Sequence, residues 1–222
     1  MAPLAELPVG KAYELWAPSY PPLAHNALMR AEERAMLKWM PASLEGKSVV
    51  DIGCGSGRYL LHAQRRGASL LGVDLSGAML ERAARLGLPV ARADLRRLPV
   101  SSNSADVVLC ALTLGHVKSL QTALSEIARV LRPRGGMALC SELHPAGFAL
   151  GWQRTFSVGE HRYAVEHATH HYADWHQGCR SAGLAIQDVI EPRLDPADIA
   201  PCAQIDPRAL EIPVVLALKL RR

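Results

Sequence analysis

From residue 47 to 142 the chain alternates short, almost wholly apolar runs with amphipathic stretches, and this alternation constrains the fold more than any other feature. The apolar runs predict strands over 48–52, 69–73, 89–92, 105–110 and 137–142, and the stretches between them predict helices over 58–66, 77–85 and 120–131. In the last helix Ala123, Leu124, Ile127, Val130 and Leu131 share one face, and Arg132-Pro133-Arg134-Gly135-Gly136 stops it. Strands without polar alternation need cover on both faces, which helices between parallel strands provide. Right-handed crossovers then favour a doubly wound α/β sandwich.

The flanks are less regular. Helical spacing predicts a helix over 24–39, ended by Pro41. A helix over 174–182, closed by Gly183, precedes strands over 184–190 and 214–220, which are expected to pair antiparallel at one sheet edge. A composition shift over 145–160 reads as an insertion above the strand ends. The expectation is therefore one domain over 1–222, with 1–45 as an N-terminal helical cap and 145–180 as a substrate lid.

Composition excludes several classes. With 49% hydrophobic and 21% charged residues, a buried core is available and disorder is not expected. The net charge of +4 comes from scattered arginines without a basic stripe, so no nucleic-acid partner is expected. Five cysteines without a Cys-x-x-Cys pair argue against a disulfide framework or a zinc ribbon. No signal-peptide pattern opens the sequence and no apolar run reaches the ~20 residues of a membrane span, so a soluble, cytoplasmic protein without a membrane partner is expected.

The turn after the first predicted strand reads Val49-Val50-Asp51-Ile52-Gly53-Cys54-Gly55-Ser56-Gly57. Alternate glycines permit positive φ and let a ligand approach bare backbone. A P-loop would need Gly-Lys-Ser/Thr, and a dinucleotide fingerprint would need a third glycine where Arg58 stands. A tight turn without ligand stays open on these residues alone. The next strand ends in Gly72-Val73-Asp74-Leu75-Ser76, an acid suited to a ribose diol, and the third is followed by Ala93-Asp94-Leu95, an acid able to accept from an adenine amino group. Met79 and Leu95 could sandwich the ring.

These segments, with Leu98-Pro99, Ser104-Ala105-Asp106-Val107-Val108 and the run from Glu126 to Gly136, resemble the class I (Rossmann-like) S-adenosylmethionine-dependent small-molecule methyltransferases. The likeness is closest to the group containing the ubiquinone, biotin-pathway and natural-product enzymes, strong over 13–142 and weak beyond. It implies a seven-stranded sheet whose last strand is antiparallel, with helices on both faces, and S-adenosylmethionine as cofactor with S-adenosylhomocysteine as product. It implies that Asp51, Gly53, Cys54, Gly55 and Gly57 line the methionine part, Asp74 holds the ribose, and Leu75 and Met79 pack on adenine. Ala93, Asp94 and Leu95 would reach the adenine edge, and the backbone of Ala111 would also touch the cofactor. The aromatic stretch from Ala12 to Tyr20 looks like a closing N-terminal segment, with Tyr20 toward the cofactor carboxylate. Ala105 and Arg134 depart from the group's usual Phe and Pro.

Proton removal from an acceptor suits histidine, and the chain has nine. His116, past the fourth strand, reads as a base or as a loop cap, and His144, past the fifth, is the second catalytic candidate. His167, His170, His171 and His176 read as polar lid residues, substrate contacts or metal ligands, without zincin order, and no metal site is expected. Cys110-Ala111-Leu112-Thr113 lacks the Asn/Asp-Pro-Pro-Tyr of base methylation, and Pro201-Cys202 lies far from that strand end. A non-catalytic binding module and a nicotinamide oxidoreductase are the other classes, the latter opposed by Arg58 and Asp51. Two Phe against four Trp and five Tyr suggest a flat, partly aromatic or conjugated acceptor, with an acyl thioester as the alternative. A monomer and a homodimer are equally compatible with the sequence.

Overall fold

The computed structural model describes residues 4–21, 23–199 and 205–222, so the Pro201-Cys202 pair lies outside the described residues. In chain order the first half contains β1 (Ala5–Leu7), α1 (Val9–Trp16), α2 (Ala27–Trp39), β2 (Ser48–Ile52), α3 (Arg58–Gln64), β3 (Ser69–Asp74), α4 (Gly77–Arg85), β4 (Val90–Arg92) and β5 (Val107–Ala111). The second half contains α5 (Leu120–Val130), β6 (Met137–Leu143), α6 (Pro145–Ala149), β7 (Thr155–Val158), β8 (His161–Val165), α7 (Tyr172–Ala182), β9 (Ala185–Ile190) and β10 (Val215–Arg221). The main sheet has seven strands in the order β4-β3-β2-β5-β6-β10-β9, all parallel except β10, which runs antiparallel to both neighbours.

Period-2 alternation divides each strand between two cores. Val49, Val107, Leu109, Met137 and Leu139 pack against Met36 and Met40 at α2 and Tyr59 and Ala63 of α3. Val50, Val108, Cys110, Ala138 and Cys140 face the opposite way, against Leu124 and Ile127 of α5 and Trp175 and Cys179 of α7. The doubly wound, helix-covered sheet expected from the alternation is the one observed. The four described cysteines are buried free thiols. Among the described residues, no helix is long and apolar enough to cross a membrane.

Two local boundaries differ from expectation for visible reasons. The helix anticipated from residue 24 starts at Ala27 because the Asn26 side chain caps it, accepting from the Met29 amide at 2.8 Å. The strand anticipated from residue 105 starts at Val107, and Ala105 makes only an isolated bridge to Leu131.

The larger difference is a second sheet, ordered β1-β8-β7, above the carboxyl ends of the main strands. β7 and β8 form an antiparallel hairpin, and β1 joins β8 in parallel with Ala5 opposite Tyr163. Ala12 of α1 is buried against Phe156 and Val165, with Tyr13 and Trp16 packed alongside. This roof thus joins β1 and α1 of the expected cap to β7 and β8 of the expected lid, whereas α2 and α7 cover the faces of the main sheet.

Candidate functional site

The glycine turn leaves β2 at the switch point, where β3 and β5 flank it. Gly53 (φ 69°) donates its amide to Val73 O at 2.7 Å, and a Cβ there would lie 2.3 Å from the Thr113 side chain. Gly55 (φ 53°) has only Met79 near its Cβ direction, at 3.7 Å, so its backbone opens onto free space. That space is a cavity of about 420 Å³, within the ~300–1,000 Å³ typical of small-molecule sites. Asp51, Gly53, Cys54, Gly55, Asp74, Leu75, Met79, Ala93, Asp94, Leu95, Ala111, Tyr20 and His116 all line it.

The two acids at the strand ends differ. Asp51 is 2% exposed, and burial, with Asp74 and Glu32 adding to it against Arg58, pushes its carboxyl up to about 8. No described residue donates a hydrogen bond to it, so a cationic group in the cavity would find an unspent acceptor. Asp74 accepts from the Gly55 and Ser76 amides, both at 2.8 Å, fastening the glycine turn to the end of β3. Asp94 at the cavity edge is held by Arg96, which keeps its carboxyl below the usual range.

The roof contributes a polar cluster. Arg154 Nη1 donates to Tyr13 Oη at 2.6 Å, to Leu112 O at 3.1 Å and to His116 Nε2 at 3.1 Å, and Tyr13 Oη lies 2.9 Å from the same nitrogen. His116 Nδ1 faces Glu166 O at 3.3 Å; a carbonyl only accepts, so Nδ1 carries the proton and Nε2 is the acceptor. Burial, then Arg154 and His167, push this imidazole well below its ordinary range. Leu112, in the left-handed region at φ 54°, turns its carbonyl toward Arg154 at the end of β5. Arg154, Tyr20, Met29 and Leu112 also wall a second cavity of about 240 Å³.

A cleft beyond the parallel strands, with an acid at each of three successive strand ends, is matched by the comparisons. The methyltransferase domain family matches residues 50–139. The chain is 29% identical over 146 residues to a demethylmenaquinone methyltransferase of Tropheryma whipplei, covering 60% of this chain and 61% of that protein. It is 33% identical over 140 residues to a malonyl-[acyl-carrier protein] O-methyltransferase of Enterobacter lignolyticus, covering 62% and 55%. A crystal structure of an S-adenosylmethionine-dependent methyltransferase from Mesorhizobium loti superposes with a TM-score of 0.70 at 27% identity, covering 86% of this chain and 98% of that one. The chain shares the fold of the S-adenosylmethionine-dependent methyltransferases, with the methyltransferase domain match over residues 50–139 at its centre. It spans less than two thirds of the length of the two curated relatives.

Within the site, two anticipated residues stand away from the larger cavity. Gly57 (φ 94°) caps α3 with its Cα toward Leu88, 2.3 Å from a built Cβ, and Ala83, so packing requires its glycine. His144 lines the second cavity, but its Nδ1 accepts from the Ala146 amide at 3.1 Å and its Nε2 meets Glu191 at 3.1 Å, so both ring nitrogens are engaged. The lid histidines disperse: His167 stacks on Phe148 at 4.5 Å, His170 Nε2 meets Val117 O at 2.9 Å, and the His171 amide donates to Asp174 at 2.8 Å.

Other side chains of the site are not singled out by sequence. Glu32, fully buried, takes Arg58 Nη2 at 2.8 Å, Tyr59 Oη at 2.9 Å and Ser141 Oγ at 2.6 Å. Its position three residues after Met29 and four before Met36, both buried, is the signal that an acid lies on the apolar face of α2. Glu14 of α1 accepts from the Gly77 amide at 2.7 Å and Ser76 Oγ at 3.1 Å, tying the roof to the start of α4 beside Asp74. Glu142, 1% exposed at the end of β6, has neither oxygen partnered among the described residues, and burial pushes it up to about 9.

Proposed function

We propose that the chain transfers the methyl group of S-adenosylmethionine to a small-molecule acceptor, with the cofactor in the larger cavity and the acceptor in the smaller. The reading takes 1–222 as one domain, with the roof drawn from parts of 1–45 and 145–180. The observation that carries it is the meeting of the two cavities at a shared wall of Tyr20, Met29, Leu112 and Arg154. When bound, the cofactor supplies an electrophilic methyl carbon on a sulfonium sulfur.

The chain's residues fit that ligand. Asp51, unspent and facing the cavity, suits the ammonium of the methionine part, along the backbone of Gly53, Cys54 and Gly55. Asp74 suits the ribose hydroxyls, where a charged acceptor is worth ~1.5–3 kcal/mol. Leu75, Met79 and Leu95 offer apolar surface for adenine, Ala93 and Asp94 its edge, Ala111 a backbone contact, and Tyr20 a phenol. The roof excludes water and holds the acceptor in place, which is most of what such a displacement asks of a protein. His116, neutral and with Nε2 occupied, acts as a positioning residue for Tyr13 and Arg154; His144 acts as a cap for α6.

The acceptors named for the two relatives, a demethylmenaquinone and a malonyl-carrier thioester, suggest acceptor classes for this chain. The test combines S-adenosylhomocysteine titration by calorimetry with a labelled-methyl assay over aromatic acids, phenols, quinols and acyl thioesters. Saturable binding and label in a small product are expected. Binding without turnover on any class would favour a non-catalytic module, and no binding would overturn the reading.

A further inference from the structure

Arg154 has chemistry that the site leaves unspent. Its three hydrogen-bond partners are a phenol, a carbonyl and an imidazole whose proton sits on the other nitrogen, so none of them carries negative charge. Among the described residues no Asp or Glu forms an ion pair with it, whereas Arg58 in the same cavity wall pairs with both Glu32 and Glu33. Nε and Nη2 donate to no described residue and are not sealed off, which leaves them open to the cavities. Burial opposes the charge, but the intrinsic basicity of a guanidinium keeps Arg154 protonated at ordinary pH. Glu142, kept neutral at ordinary pH by its own burial, does not balance it.

A guanidinium withdrawn from water without a counter-charge is costly, and a bound anion returns that cost. The smaller cavity shows what the rest of such a ligand is like. Trp16, Phe148, Trp152, Leu143 and Val214 line it, so it favours an apolar or aromatic body. Tyr20, in the wall shared with Arg154, adds a second donor; burial lifts its phenol to about 12 and keeps its proton in place.

We infer that Arg154 is the anion receiver of the acceptor subsite, and that the acceptor is an apolar or aromatic acid bound as its carboxylate or phenolate. The inference rests on the methyl-transfer reading and deepens it by naming the acceptor class. It also accounts for the engaged nitrogens of His116 and His144, because an acceptor that arrives ionised leaves no proton for a base to remove.

The test uses the full chain saturated with S-adenosylhomocysteine and calorimetric titration of two probe pairs, 3-phenylpropionate against 3-phenylpropionamide and 4-nitrophenolate against nitrobenzene. The wild type should bind at least one anion about tenfold or more tighter than its neutral partner, as expected for a charge-assisted contact. The pair that shows the preference separates carboxylate from phenolate. Arg154→Gln should abolish the preference, and Arg154→Lys should keep part of it, with S-adenosylhomocysteine affinity within about threefold of wild type in both. Equal binding of anion and neutral partner, or no binding of either, overturns the inference. So does an Arg154→Gln variant that keeps the preference but loses S-adenosylhomocysteine, since Arg154 would then serve the cofactor. If Arg154→Gln does not fold, the wild-type contrast and Arg154→Lys decide. A chain that takes no S-adenosylhomocysteine overturns the methyl-transfer reading; one that takes it without discriminating anions overturns only the acceptor class.

Discussion

Glu142 makes a measurable claim about stability. The side chain is 1% exposed, both oxygens are unpartnered among the described residues, and burial raises its carboxyl from 4.5 to about 9, opposed by Arg154 and reinforced by Asp174. A folded-state value above the unfolded one means a contribution that is full below 4.5 and lost as pH rises through 9. Between those limits the folded protein holds one proton more than the unfolded chain, so this group lowers stability by about 1.4 kcal/mol per pH unit. By pH 7 the loss relative to acid conditions is about 3 kcal/mol, a large share of the ~5–15 kcal/mol that holds a domain together. Glu142→Gln keeps the shape and removes the proton. Urea unfolding of both proteins at about pH 5.5, 6.5 and 7.5 should show the variant gaining on the wild type by about 1.4 kcal/mol per unit. Other titrating groups, Asp51 among them, are common to both proteins and cancel. Parallel stability curves would refute the reasoning and show that Glu142 is already ionised in the folded protein.

Three further outcomes are expected. S-adenosylhomocysteine binding at about pH 7 should release close to one proton from Asp51, seen as a dependence of calorimetric enthalpy on buffer, and Asp51→Asn should abolish it; no release would separate Asp51 from the ligand's ammonium. Glu32→Gln takes the nearer carboxylate from the buried Arg58 and leaves it Glu33, and should cost ~1.5–3 kcal/mol in chemical denaturation; a loss under ~0.5 kcal/mol would contradict the ion-pair geometry. Gly57→Ala should lose ~1–3 kcal/mol of stability yet bind S-adenosylhomocysteine within about threefold of wild type, because its Cβ meets Leu88. Gly55→Ala should weaken binding at least about tenfold, because its Cβ enters open cavity.

The floor of the molecule is legible because its signals are local. β2 and α4 fall where apolar runs and the Ser76 cap place them, and Asp51, Asp74 and Asp94 follow as strand-end positions. The roof is not legible. β1 is three residues long, and its parallel partner in β8 lies more than 150 residues away, so only the folded chain defines its register. Arg154 looks like any arginine in a polar stretch until Tyr13, Leu112 and His116 converge on it. Polar residues at strand ends usually face solvent, which hides Glu142; its place within the buried run of β6 is the available signal. His116 and His144 attract attention as titratable groups, and only the partners of their ring nitrogens show how each is used.

The origin of the roof in two separate segments also bears on how such a protein diversifies. The floor, from β2 to β6, carries the glycine turn and the strand-end acids, while the walls of the smaller cavity come largely from α1, α2, α6 and the segment entering β7. Sequence can therefore drift before β2 and between β6 and α7 without disturbing the turn that the floor presents. The tie between the halves is narrow, with Glu14 on α4 and Arg154 on Leu112 among its anchors. A roof grafted from another chain of this architecture would need to keep those two anchors, and it could then bring a different guest to the same donor.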